Sequence, residues 1–163
     1  MLAVPATSFY DVVLAIHVMA VVVGFGVVFA YPIMFAVGAR QDPRSLPVLH
    51  RVEYTIEQWV VNPGLLVILL AGVYLASKGH HWSEFFVQWG LAAVIVLGAV
   101  VGSVMIHTAK RAEALAAAGV SAAAGGTVVL GEDYRALARR LALVGFLLDA
   151  LVLVTILFMV IQP

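Results

Sequence analysis

An all-α bundle of four membrane-spanning helices is the fold this sequence predicts, and three observations carry it. Hydrophobic residues make up 64% of the 163-residue chain and charged ones 11%, with a mean hydropathy of +1.09. Soluble domains run about 45–50% apolar and about 25% charged. The charges leave long uncharged stretches between them: 28 residues between Asp11 and Arg40, 20 between Glu57 and Lys78, and 25 between Glu84 and Lys110, while the 23 after Arg140 contain only Asp149. Eight of the nine basic side chains fall in two of the three connections. This composition excludes an ordinary soluble enzyme, and disorder as well, which needs low hydrophobicity and high net charge. Nine Lys+Arg against nine Asp+Glu give no net charge, so nothing draws nucleic acid to the chain as a whole. The absence of cysteine removes disulfides, thiolate metal sites and covalent haem attachment through CxxCH.

Each stretch is long enough for a helix to cross a hydrocarbon core about 30 Å thick and too long for a barrel strand. The spans are expected at about 9–37, 57–77, 84–108 and 140–161, within one domain covering 1–163. The first has no basic region before it and exceeds a signal peptide's apolar run, so a retained helix is expected. The connection after it carries Arg40, Arg44 and Arg51, with Pro43 and Pro47 and then a short amphipathic run. The second span holds Asn62-Pro63-Gly64 about a turn inside, where proline removes a backbone bond and kinks the helix. The connection Ser77–Ser83 is short, and Trp82, Trp59 and Trp89 lie near span ends, where amphipathic rings anchor. The third connection is long. Its Ala/Gly-rich middle, Ala112–Gly131, reads as a mobile linker. Glu132-Asp133 then suit the first turn of a helix that starts near residue 132, before the bilayer. Lys110, Arg111, Arg135, Arg139 and Arg140 flank that connection. The positive-inside rule therefore places connections 1 and 3 in the cytoplasm and both termini outside. The halves differ too much for an inverted-repeat transporter.

Ionisable groups inside spans are costly and face protein or a cavity. His17 in span 1 and Asp149 in span 4 qualify clearly. At 1.5 Å per residue, His17 lies about 12 Å from one boundary and Asp149 about 13 Å from the other. Their levels then differ by about 5 Å in a core about 30 Å thick. If spans 1 and 4 are neighbours, the two meet near mid-membrane. His17 has three readings: a neutral histidine bonded across helices, an axial ligand of haem b, or a proton-transfer or metal-binding group. Gly24 and Gly26 lie further along that span and admit either a flat macrocycle or a neighbouring helix. Asp149 either orients His17 through its free ring nitrogen, serves a proton path, or sits protonated against a helix carbonyl. His107 is about 33 Å along span 3, too deep to share one haem with His17. It ligates a second cofactor or metal, or caps the interface. Glu57, Asn62 and Tyr31 are near its level and can complete an inner polar site. His80-His81 reads as a solvated turn. Gly98-x-x-x-Gly102 permits close packing or a homodimer. No GxSxG elbow, Walker loop, HExxH or dinucleotide fingerprint is present, and the dispersed methionines form no copper relay.

Together, His17, Gly24-Phe25-Gly26 running toward Pro32, Asn62-Pro63-Gly64 with Gly72 beyond, and His107 resemble the DUF2269 family of small bacterial integral membrane proteins. The layout is also remotely similar to the HemJ-type protoporphyrinogen oxidases and the CopD-like copper-resistance membrane domains. The HemJ type associates a first-helix histidine with haem, and His17 matches it; Pro63-Gly64-Leu65 through Gly72 and His107 match later positions. That type's lysine early in helix 3 has no counterpart between Lys78 and Lys110, which counts against protoporphyrinogen oxidation and leaves haem binding open. The resemblance implies a multi-pass protein of the bacterial inner membrane. The leading expectation is therefore a haem-b-binding membrane protein with an electron-transfer or oxidoreductase role and His17 as axial ligand. The alternatives are proton-coupled transport or ion binding through His17 and Asp149, and a cofactor-free subunit that packs against a membrane partner.

Overall fold

The computed structural model describes residues 8–163, so the first seven residues of the single expected domain lie outside it. Four long apolar helices build the bundle: α1 Phe9–Gln41, α2 Pro43–Gly79, α3 Phe85–Ala122 and α4 Glu132–Ile161. Each is long enough to cross a membrane. Their outer faces expose large apolar side chains such as Val22, Val23, Leu70, Leu153 and Val160. A surface of that kind is stable against hydrocarbon and not against water.

Local chemistry sets the ends. The Ser8 hydroxyl accepts from the Asp11 N–H at 3.2 Å and Asp11 Oδ2 accepts from the Ser8 N–H at 2.9 Å, a capping box that satisfies two free donors. Asp42 alone separates α1 from α2. Its carboxylate accepts from the Arg44 N–H at 3.0 Å, and Pro43 follows it in the first turn. Pro43 and Pro47 thus start helix where the sequence suggested a looped connection, because a first-turn proline forfeits no intrahelical bond. At the far end of α2, His80 adopts a left-handed φ of 58° and the His81 N–H reaches back to the Ala76 carbonyl at 3.0 Å. That closure ends the helix, and both histidines are exposed.

Three of the four helices depart from α geometry at one level. Pro32 has no N–H for the Val28 carbonyl, and α1 tightens into a 3-10 turn over Val28–Ala30. In α2, a π turn over Glu57–Val61 immediately precedes Asn62-Pro63, with the Asn62 N–H bonded to the Glu57 carbonyl. The wide turn gives the proline ring room, so α2 absorbs the expected disruption as a register shift. A second π turn covers Val101–Met105 of α3, where Gly102-Ser103 and the Ser103 hydroxyl, bonded back to the Ala99 carbonyl, loosen the ladder. The two π turns touch.

α1 packs chiefly on α2, and α4 chiefly on α3. The α1–α2 crossing brings Gly24 and Gly64 together: a Cβ on Gly64 would stand 3.4 Å from the Gly24 Cα. Away from the basic residues, Trp89 of α3 donates to the Thr155 hydroxyl of α4 at 3.1 Å and meets Phe158 edge-on at 5.2 Å. At the basic end, the start of α2 lies against the extension of α3. Here the structure corrects the reading of Ala112–Gly131 as a mobile linker. Ile106–Ala122 is continuous helix, and Ala109, Ala112 and Ala116 are fully buried. Methyl side chains let two helix backbones approach closely. Only Ala123–Gly131 remains as a connection, and the Arg44 guanidinium holds it by donating to the Gly126 carbonyl at 2.7 Å.

Candidate functional site

His17 and Asp149 do not form one site. The His17 Nδ1 lies 3.1 Å from the Ile68 carbonyl oxygen of α2. A carbonyl only accepts, so Nδ1 carries the hydrogen and Nε2 keeps its lone pair. Gly72 lies beneath the ring: a Cβ there would stand 3.4 Å from His17 Cε1. The ring is thus oriented from α2, is half-buried, and makes no further hydrogen bond among the described residues. Gly24 is occupied by the contact with Gly64 described above.

Asp149 lines a central cavity of about 450 Å³ to which all four helices contribute and which His17 does not border. The walls are mostly apolar, with Phe25, Val61, Leu97, Val101, Met105 and Val152 prominent. Leu130, from the connection before α4, closes the basic end and packs on the Gly119 surface. Of the residues expected to form an inner polar site with His107, Tyr31 and Glu57 are at this cavity. His107 and Asn62 are not. His107 is exposed on α3. Asn62 lines a shallow groove between α2 and α3, with Gly98 and Gly102 on its opposite wall. Among the described residues nothing lies within 4 Å of a Cβ on either glycine, so the GxxxG pattern brings no other helix of these residues close.

The cavity also contains a polar network that sequence reasoning missed. His50, Glu53 and Glu57 of α2 are 2–3% exposed and line it together. His50 Nδ1 is 2.9 Å from Glu53 Oε2, and His50 Nε2 is 3.1 Å from the Tyr134 hydroxyl of α4. A carboxylate accepts, so Nδ1 donates to Glu53; the Tyr134 hydroxyl then donates to Nε2. Tyr31 of α1 adds a long bond, 3.5 Å, to the Glu53 backbone carbonyl. One histidine therefore ties α2 to α4 with both ring nitrogens committed. Glu57 differs, because its Oε2 is buried without a hydrogen-bond partner among the described residues. The signal was present as spacing: positions 50, 53 and 57 share one helix face. Among the described residues, no group of three or more His, Cys, Asp or Glu is arranged to hold a metal ion.

Four apolar helices surrounding a small polar interior define a multi-pass membrane protein. The chain belongs to the DUF2269 family, described as "Predicted integral membrane protein", whose model matches residues 11–163. No curated protein and no solved structure matches it.

Proposed function

We propose that the protein binds haem b through His17 as axial ligand and has an electron-transfer or oxidoreductase role. One observation carries this reading: Nδ1 of His17 is tied to the Ile68 carbonyl, which leaves Nε2 unpartnered within an apolar span. Metal-ligating histidines usually donate their other ring nitrogen to a carbonyl or carboxylate, fixing tautomer and orientation. A neutral imidazole nitrogen held this way is the kind of donor a haem iron takes. A bound haem would supply one-electron chemistry; the chain's own part is to fix the ring through Ile68 and Gly72. The first-helix histidine of the HemJ-type resemblance is this same residue. By the positive-inside rule, the basic end faces the cytoplasm of a bacterial cell and His17 sits in the outer half of the inner membrane.

Protein purified after haem-replete expression is expected to show a Soret band. His17→Ala is expected to lose it and His107→Ala to keep it, both with unchanged helicity. Colourless wild-type protein, or a His17→Ala variant that keeps its band, overturns the proposal. A second reading, proton-coupled transport or ion binding, is supported by Asp149 and Glu57 bordering one cavity. It expects pH-dependent flux in proteoliposomes that Asp149→Asn abolishes, and an equal flux in the variant rejects it.

A further inference from the structure

We propose that the central cavity is a binding site for a lipophilic primary amine, held as its ammonium ion by Glu57, with its apolar body in the Phe25, Val61, Leu97 and Val152 part of the cavity. The site is separate from His17 and does not depend on haem. Four observations converge on it.

The charged residues lining the cavity are all acidic: Glu53, Glu57 and Asp149, with no lysine or arginine among them. Glu53 already has His50, whose second nitrogen is taken by Tyr134, so neither invites a ligand. Asp149 is only half-buried, and Glu57 is the enclosed open position, 3% exposed and with Oε2 lacking any hydrogen-bond partner among the described residues. A buried carboxylate is costly unless an opposite charge and hydrogen-bond donors meet it, and an ammonium brings both.

The backbone is irregular where the cavity forms. Glu57 and Val61 bound the α2 π turn, Val101 and Met105 bound the α3 π turn, and Val28 begins the 3-10 turn of α1. All five residues line the cavity. Non-α backbone at membrane depth is tolerated where it is enclosed by protein or lines a cavity, and π turns concentrate at functional sites.

The volume, about 450 Å³, falls within the range of about 300–1,000 Å³ for sites that take small organic molecules. Access comes from the lipid side. α1 and α4 each pack chiefly on another helix, and lining residues of α4 reach the surface, with Phe146 68% exposed. A ligand that partitions into the bilayer can enter there, body and head group together.

The test uses the full chain in phosphatidylcholine nanodiscs, titrated with decylamine and with 1-decanol, with empty nanodiscs subtracted. These probes share a ten-carbon body and differ in charge. The expected result is saturable binding of one decylamine per chain, with decanol at least about tenfold weaker, a difference of about 1.4 kcal/mol. Glu57→Gln is expected to lose about tenfold for decylamine and nothing for decanol. Glu84→Gln, at an exposed carboxylate on the opposite end, is expected to change neither. No saturable decylamine binding, or equal affinity for the two probes, overturns the site; unchanged decylamine affinity in Glu57→Gln overturns the role of that residue. The wild-type comparison decides even if Glu57→Gln fails to fold, and none of these outcomes bears on the Soret band.

Discussion

His50→Ala is expected to cost about 3–5 kcal/mol of unfolding free energy, because it leaves a cavity where a buried ring stood and takes the hydrogen-bond donor from a buried carboxyl group. The imidazole is 2% exposed and is the only side chain bonded to the Glu53 carboxylate among the described residues. Without it, the buried Glu53 side chain loses its hydrogen-bond donor and the Tyr134 hydroxyl loses its acceptor. Tyr134→Phe isolates the smaller part: it leaves the His50–Glu53 pair and costs about 1–3 kcal/mol for an imidazole nitrogen left without its bond. The double variant His50→Ala/Glu53→Ala should be less destabilised than the sum of the singles, because the stranded carboxylate has gone. Helicity followed through a denaturing-detergent titration compares these variants and Glu53→Ala with the wild type. Full additivity would show that the two side chains do not act as a pair.

Ala112→Leu should be the other severe change, at about 1–3 kcal/mol from overpacking. Ala112 is fully buried between the α3 extension and the start of α2, in one cluster with Leu46 and Tyr134. Three extra heavy atoms must push α2 away, and α2 carries His50 and Glu53. The disturbance should therefore reach the polar network as well as the helix contact. Ala114 is the matched control, one turn-fraction away and exposed, where leucine should change little. Hydrogen exchange read at residues 46–56 separates the cases: faster in Ala112→Leu, unchanged in Ala114→Leu. A flexible linker would respond alike to both, so equal behaviour would contradict the packed helix.

The four helices were legible because membrane burial writes itself as uncharged length, which needs no knowledge of partners. The extension of α4 from residue 132 was legible in its acidic first turn, but that of α3 was not, for a specific reason. Ala109, Ala112 and Ala116 are neither strongly apolar nor charged, so hydropathy is silent about them, yet their smallness is what lets α2 and α3 close. Composition read Ala112 and Ala116 as slack. His17 was legible as an imidazole inside a span. Its partner was not, since the Ile68 carbonyl is backbone and 51 positions away. The His50–Tyr134 bond joins residues 84 positions apart, beyond any local pattern. Levels estimated along the spans put Asp149 near His17, but a depth estimate cannot say which helices are neighbours. α1 lies on α2 and α4 on α3, so equal depth did not become contact.

The π turn in α2 has a consequence for comparison among relatives. Each residue of an α-helix advances the chain by about 100°. The π turn takes up one extra residue of that advance, so a family member one residue shorter between its counterparts of Glu57 and Pro63 would run as plain α-helix with everything downstream facing as it does here. Leu65 and Ile68 would stay inside and the Ile68 carbonyl would still face His17, but the widened turn that lines the cavity would be gone, with hydropathy hardly altered. Residue count in that short interval, more than residue type, would thus separate relatives that keep this widened turn from relatives that share only the four hydrophobic spans.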